Sequence, residues 1–206
     1  MELHNFLFDF VIETCHNFNI DESHGLKHSM DVYYYSTILF ESILKETPEV
    51  EIYREVITIS SILHDMCDKK YMIERDGIEN IREKMSNKID KDTLDLSLLI
   101  ISKLSYSYIK KNGYPDMGLY QIIYDIVGDA DRLASYDFER CIIYQMMRKK
   151  ESYEKSFDDA VLLFENRVLK YREEGLFKTV YGKKLSEKLH FDAITRIDFL
   201  KRLLNK

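Results

Sequence analysis

Chain breakers are scarce, with 7 glycines and 2 prolines in 206 residues. That scarcity excludes an architecture of many short strands joined by tight turns and requires long uninterrupted elements. Cysteine is also sparse: Cys15, Cys67 and Cys141 are odd in number, far apart and lack a CxxC pair. Free thiols in a reducing, intracellular compartment fit this usage better than a disulfide framework. No run of five basic residues occurs and the formal net charge is −6, so nucleic acid is not an expected partner. No stretch approaches the roughly 18 apolar residues of a membrane span. The opening "MELHNFLFDFVIETC" carries acids within its apolar residues and has no basic leader, which argues against a signal peptide.

What is present is helical periodicity. Apolar content of 45% over 206 residues suffices for one domain with its own core, and no repeat, low-complexity tract or Gly/Pro/Ser linker divides it. The spacing predicts helices over about 3–17, 26–45, 50–65, 76–86, 92–105, 118–148 with a break near 135, and 155–202 with breaks near 175 and 181. Asp21 to Ser23, Thr47 with Pro48, and Asp90 to Asp92 are the expected helix starts. The fold expected is all-α and single-domain over 1–206, with core motifs in about 20–140 and C-terminal helices in about 150–202. "SYSYIKKNGYPDMG", residues 105–118, reads as a loop suited to walling a binding site, with Tyr106, Tyr108 and Tyr114 as candidates for stacking on a base.

Chemistry concentrates in three apolar helical stretches. "VITISSIL" ends in His64 and Asp65, so a buried helix delivers an imidazole and a carboxylate together. His28 in "SHGLKHSMDVYYYS" shares an inward face with Val32, four residues on. "IIYDIVGDADRLASY" embeds Asp129 and Asp131 in a third helix, where two residues of separation turn them to different faces. Two imidazoles and two carboxylates form a mixed N/O set that leaves positions open on a divalent ion. Mn²⁺ leads, with Fe²⁺, Co²⁺, Ni²⁺, Zn²⁺ or Mg²⁺ as alternatives. Cys67 reads as a packed neighbour.

The order His28 in "KHSMDV", His64-Asp65 in "LHDMCDKK" and an aspartate in "DADRL" resembles the H…HD…D pattern of the HD-domain superfamily of metal-dependent phosphohydrolases. "IISKLSYS" and "FKTVYGKKLSEKLH" extend the similarity over about residues 20–200, toward the small bacterial-type HD hydrolases. The resemblance implies Asp131 as fourth ligand, with Asp129 as fallback. The interval from Asp65 to Asp129 contains no histidine, which implies a single metal rather than two. Asp68, one turn beyond His64 if the helix continues, is the implied water-aligning acid, although Asp68-Lys69 departs from the alarmone-hydrolase pattern.

Lys70 as a catalytic cation, and Lys103, Lys110 and Lys111 as substrate contacts, lie in segments that the resemblance brings near the metal. Arg132, beside a ligand, either serves there or braces its helix through an ion pair. His24 either orients a ligand, touches phosphate or caps the helix start. The activity implied is hydrolysis of a phosphoester or phosphoanhydride, with a nucleotide as substrate. Its rival is a non-catalytic HD-fold module that binds metal or nucleotide. The apolar stripe in "LSEKLHFDAITRIDFLKRLL" offers a surface for homodimer formation.

Overall fold

A computed structural model describes residues 2–204, and among them every regular element is helical. The ten α-helices are α1 (Glu2–Phe18), α2 (Leu26–Leu44), α3 (Arg54–Leu63), α4 (Glu74–Met85), α5 (Lys91–Lys103), α6 (Tyr106–Asn112), α7 (Gln121–Ala134), α8 (Phe138–Lys149), α9 (Tyr153–Asn166) and α10 (Val180–Leu203). No helix among the described residues is long and apolar enough to cross a membrane.

Most expected boundaries agree with this order, and the departures have local causes. Asp90 caps α5 by accepting from the Asp92 and Thr93 backbone N–H groups. Pro48 opens a 3₁₀ turn, Pro48–Tyr53, and the α-helix follows only at Arg54. The segment read as a loop contains α6, which Ser105 caps by accepting from the Tyr108 N–H and which Gly113 ends at φ 82°. Between α9 and α10 the chain is irregular over 167–179, apart from one 3₁₀ turn at Val168–Lys170.

α3 organises the interior. Its residues Val56 to Leu63 are all buried, so the helix is covered on every side. One side of it, with Val56 and Ile57, joins an apolar cluster that includes Phe40, Tyr124, Phe138, Phe157 and Phe164. The other side, with Ile59, Ile62 and Leu63, joins a second cluster with Leu7, Phe10, Met66, Ile81 and Met85. Burying each of these large side chains contributes roughly 1.5 to 3 kcal/mol. Polar groups gather at the C-terminal end of α3, on the seam between the clusters. On the outside, Phe191, Phe199 and Leu203 of α10 are exposed.

Candidate metal centre

His64 follows directly on α3, where the last helical carbonyls lack partners within the helix. Its Nδ1–H donates to the Ser61 carbonyl at 2.9 Å, which fixes the ring with Nε2 facing inward. His28, in the first turn of α2, brings its own Nε2 to 3.1 Å from that of His64. The His28 ring is 1% exposed and its Nδ1 has no hydrogen-bond partner. Asp65 Oδ2 lies 3.4 Å from each of the two Nε2 atoms. Asp131 Oδ1, from α7, lies 3.4 Å from His28 Nε2 and 3.8 Å from His64 Nε2.

These separations suit one ion. Ligand atoms at about 2.1 Å from a metal sit roughly 3.0 to 3.4 Å from one another in octahedral or tetrahedral sets. His28, His64 and Asp65 form the tightest group, and Asp131 approaches the same two nitrogens. Two deeply buried imidazoles with two carboxylates against them are a donor set of the right chemistry for a divalent cation, which would take the place of the proton on His64.

Electrostatics keep this set anionic. Burial and the nearby Arg140 charge push the His28 pKa down to about 4. Burial also opposes charge on His64, but Asp65, Asp131 and the Ser61 carbonyl overcome it and push its pKa up to about 9. Burial disfavours ionised Asp131, yet the bond from His28 and the charge of His64 hold its carboxyl well below the usual range. Asp65 is held low by His64 in the same way, against burial.

Asp129 has a different occupation. It is 0% exposed and turned toward the chain before α10. The Lys178 N–H donates to both of its oxygens at 3.0 Å, and the Thr179 N–H and hydroxyl each donate to Oδ2 at 2.8 Å. Arg132 Nη1 stands 3.6 Å from Oδ1, so this arginine braces α7 rather than facing the ligands. Burial pushes the Asp129 pKa up to about 6 against these donors. The cradle leaves no room for a side chain at residue 182: a Cβ on Gly182 would stand 2.5 Å from Asp129 Oδ2 and 2.6 Å from Thr179 Oγ1.

A cavity of about 300 Å³ opens over His64, Asp65 and Asp131. Asp68 and Lys70 line it, but not through the expected continuation of α3: the helix ends at Leu63, and residues 64–67 form turns. Asp68 is oriented instead by Lys70, whose backbone N–H donates to Oδ1 at 2.8 Å and whose Nζ donates to Oδ2 at 3.1 Å. His24 also lines the cavity, just before α2 begins. Lys70 Nζ donates to His24 Nε2 at 2.7 Å, which places the His24 proton on Nδ1, facing Ser23 Oγ at 2.6 Å. Burial keeps His24 neutral, its pKa well below the ordinary value.

Three expected substrate lysines are elsewhere. Lys103, Lys110 and Lys111 do not line the cavity. The α6 helix carries Lys110 away to an ion pair with Glu174 at 3.0 Å, and Lys111 is exposed. Of the tyrosines, Tyr106 lines the cavity, whereas Tyr114 packs on Tyr124 and donates to Asp125 at 2.9 Å. Cys67 is buried in the second cluster and borders the cavity.

Sequence reasoning missed Arg140 and Arg167, both of which line the cavity. Each sits on or beside an ordinary amphipathic helix, and the only hint is that the residues four away from Arg140 are Tyr136 and Tyr144 rather than acids. No family model, no curated protein and no solved structure matches the chain.

Proposed function

We propose that this chain is a metal-dependent phosphohydrolase of the HD type, acting on a phosphoester or phosphoanhydride. The observation that carries the reading is the convergence of two imidazole Nε2 atoms 3.1 Å apart with two carboxylates that lie 3.4 to 3.8 Å from those nitrogens, on a cavity also lined by Lys70, Arg140 and Arg167. An anionic ligand set with Lys70, Arg140 and Arg167 among a lining that also holds Asp68 and Glu74 suits an ion below and a phosphate above. The order His28, His64-Asp65, Asp131 and its resemblance to the HD superfamily support the same assignment, and that resemblance makes a nucleotide the expected substrate.

His28, His64, Asp65 and Asp131 would hold one divalent ion, with Mn²⁺ favoured by the mixed N/O donors. When bound, the ion supplies Lewis acidity and lowers the pKa of water. Asp68, fixed by its two bonds from Lys70, orients the attacking water and takes its proton. Lys70 and Arg140 neutralise charge that grows on the phosphoryl oxygens. His24 keeps the Lys70 ammonium in place through Nε2.

A module that binds without turnover is the second reading. It is favoured by the position of Lys70 Nζ, which stands 3.1 Å from Asp68 Oδ2 and occupies one oxygen of that carboxylate. The deciding experiment is phosphate and pyrophosphate release from a nucleotide panel with Mn²⁺, Mg²⁺, Co²⁺ or Ni²⁺, native protein against His64→Ala with Asp65→Ala. Metal-dependent release lost in the double variant is the expected result. Stoichiometric metal with no release from any substrate would favour the module.

A further inference from the structure

A second cavity, of about 490 Å³, lies between α8 and α9 and shares His24, Lys70, Ser135, Arg140 and Arg167 with the metal-side cavity. The two chambers therefore meet at a junction that carries three cationic side chains. His64, Asp65 and Asp131 border only the first chamber. The second is walled by Leu162, Leu163, Cys141 and Tyr144, with the amides of Gln145 and Asn166 among them.

Two features of the junction point to an anion. Arg140 Nη1 is buried without an acceptor, and no carboxylate pairs with its guanidinium among the described residues. Arg167 donates from Nε to the Tyr171 hydroxyl at 2.7 Å and lies 4.7 Å from the Tyr106 ring centroid, again with no carboxylate partner among the described residues. Both guanidiniums are half-buried, face the junction and make no carboxylate ion pair within 4 Å among the described residues, and a phosphate accepts from two such forks with good geometry.

We propose that the α8–α9 chamber holds the nucleoside half of the substrate, with its phosphates clamped at the junction by Arg140 and Arg167 and reaching into the metal-side cavity. This rests on the phosphohydrolase reading and adds the substrate's orientation and the residues that select it. The chamber falls in the size range of small-molecule sites, about 300 to 1,000 Å³, and far exceeds what inorganic phosphate needs. Walls of Leu162, Leu163, Cys141 and Val168 with two tyrosines, Tyr144 and Tyr171, accept a planar base, and the side-chain amides of Gln145 and Asn166 match its donor and acceptor edge.

The test is calorimetric binding of methylene-bridged purine and pyrimidine nucleoside triphosphate analogues, and of inorganic tripolyphosphate, to the Mn²⁺-loaded protein. Leu163→Trp, on a partly exposed wall, narrows the chamber, and Arg140→Gln removes the clamp. The native protein should bind at least one nucleotide analogue 30-fold or more tightly than tripolyphosphate. Leu163→Trp should erase that preference, and Arg140→Gln should weaken nucleotide and tripolyphosphate alike by tenfold or more. A preference that survives Leu163→Trp, or tripolyphosphate that binds as tightly as every nucleotide, overturns the proposal. Phosphate release from the natural triphosphates, measured in parallel, separates the two readings. Nucleotide binding sensitive to Leu163→Trp without release keeps the chamber and removes the hydrolase; release from tripolyphosphate with no nucleotide preference does the reverse.

Discussion

Asp129 and Asp131 are two residues apart on α7, and their surroundings are opposites. Asp129 receives four hydrogen bonds from Lys178 and Thr179 and is sealed from solvent. Asp131 faces two imidazoles and a cavity, with no backbone donor committed to its side chain among the described residues. A buried carboxylate held by three donors of its own chain is a structural tie, because its bonds are already committed to the fold. One that meets only imidazole nitrogens and a cavity has lone pairs left for a ligand. The same helix therefore anchors α10 on one face and builds the centre on the other.

The largest effect that sharpens this contrast is on turnover. Asp131→Asn should lower metal-dependent phosphate release by at least 10³-fold per folded molecule, and, because it takes a carboxylate away from two buried imidazoles, it should also lower the melting temperature. An Asp131→Asn protein with native turnover would break the contrast at once. Asp68→Asn should lower kcat by about 10² to 10⁴ with metal affinity unchanged, measured by Mn²⁺ titration. Loss of metal binding in that variant would place Asp68 among the ligands instead.

On the structural face, Asp129→Asn should cost about 2 to 4 kcal/mol in denaturant unfolding, since an amide cannot accept all four bonds. Its folded fraction should still bind Mn²⁺. Gly182→Ala is the smallest change: the methyl group meets the same cradle, and the expected cost is about 1 to 3 kcal/mol with kcat unaltered. A neutral Gly182→Ala would mean that the α7–α10 contact yields easily.

Much of the fold was legible because scarce glycine and proline leave few places for a chain to break, and because apolar spacing marks each long helix. α6 escaped since "KKNGYP" reads as a turn, while the helix precedes Gly113 and depends on the Ser105 cap. The ligand candidates were legible as polar groups at the ends or in the middle of apolar helices. The choice between Asp129 and Asp131 was not: the donors that claim Asp129 come from 49 and 50 residues further along the chain. Arg140 and Arg167 were hidden for a related reason. Their place beside the cavities, with no direct carboxylate ion pair among the described residues, is set by packing that the sequence pattern does not display. Lys110 shows the converse, a cation that sequence places near the site and that Glu174 takes elsewhere.

The central claim is a metal centre that uses one face of α7 and not the other. Its most direct test is Mn²⁺ titration followed by electron paramagnetic resonance, on the native protein, Asp131→Asn and Asp129→Asn. One tightly bound Mn²⁺ per chain is expected in the native protein and in folded Asp129→Asn, with affinity reduced 30-fold or more in Asp131→Asn. Equal affinity in all three, or a loss confined to Asp129→Asn, would contradict it.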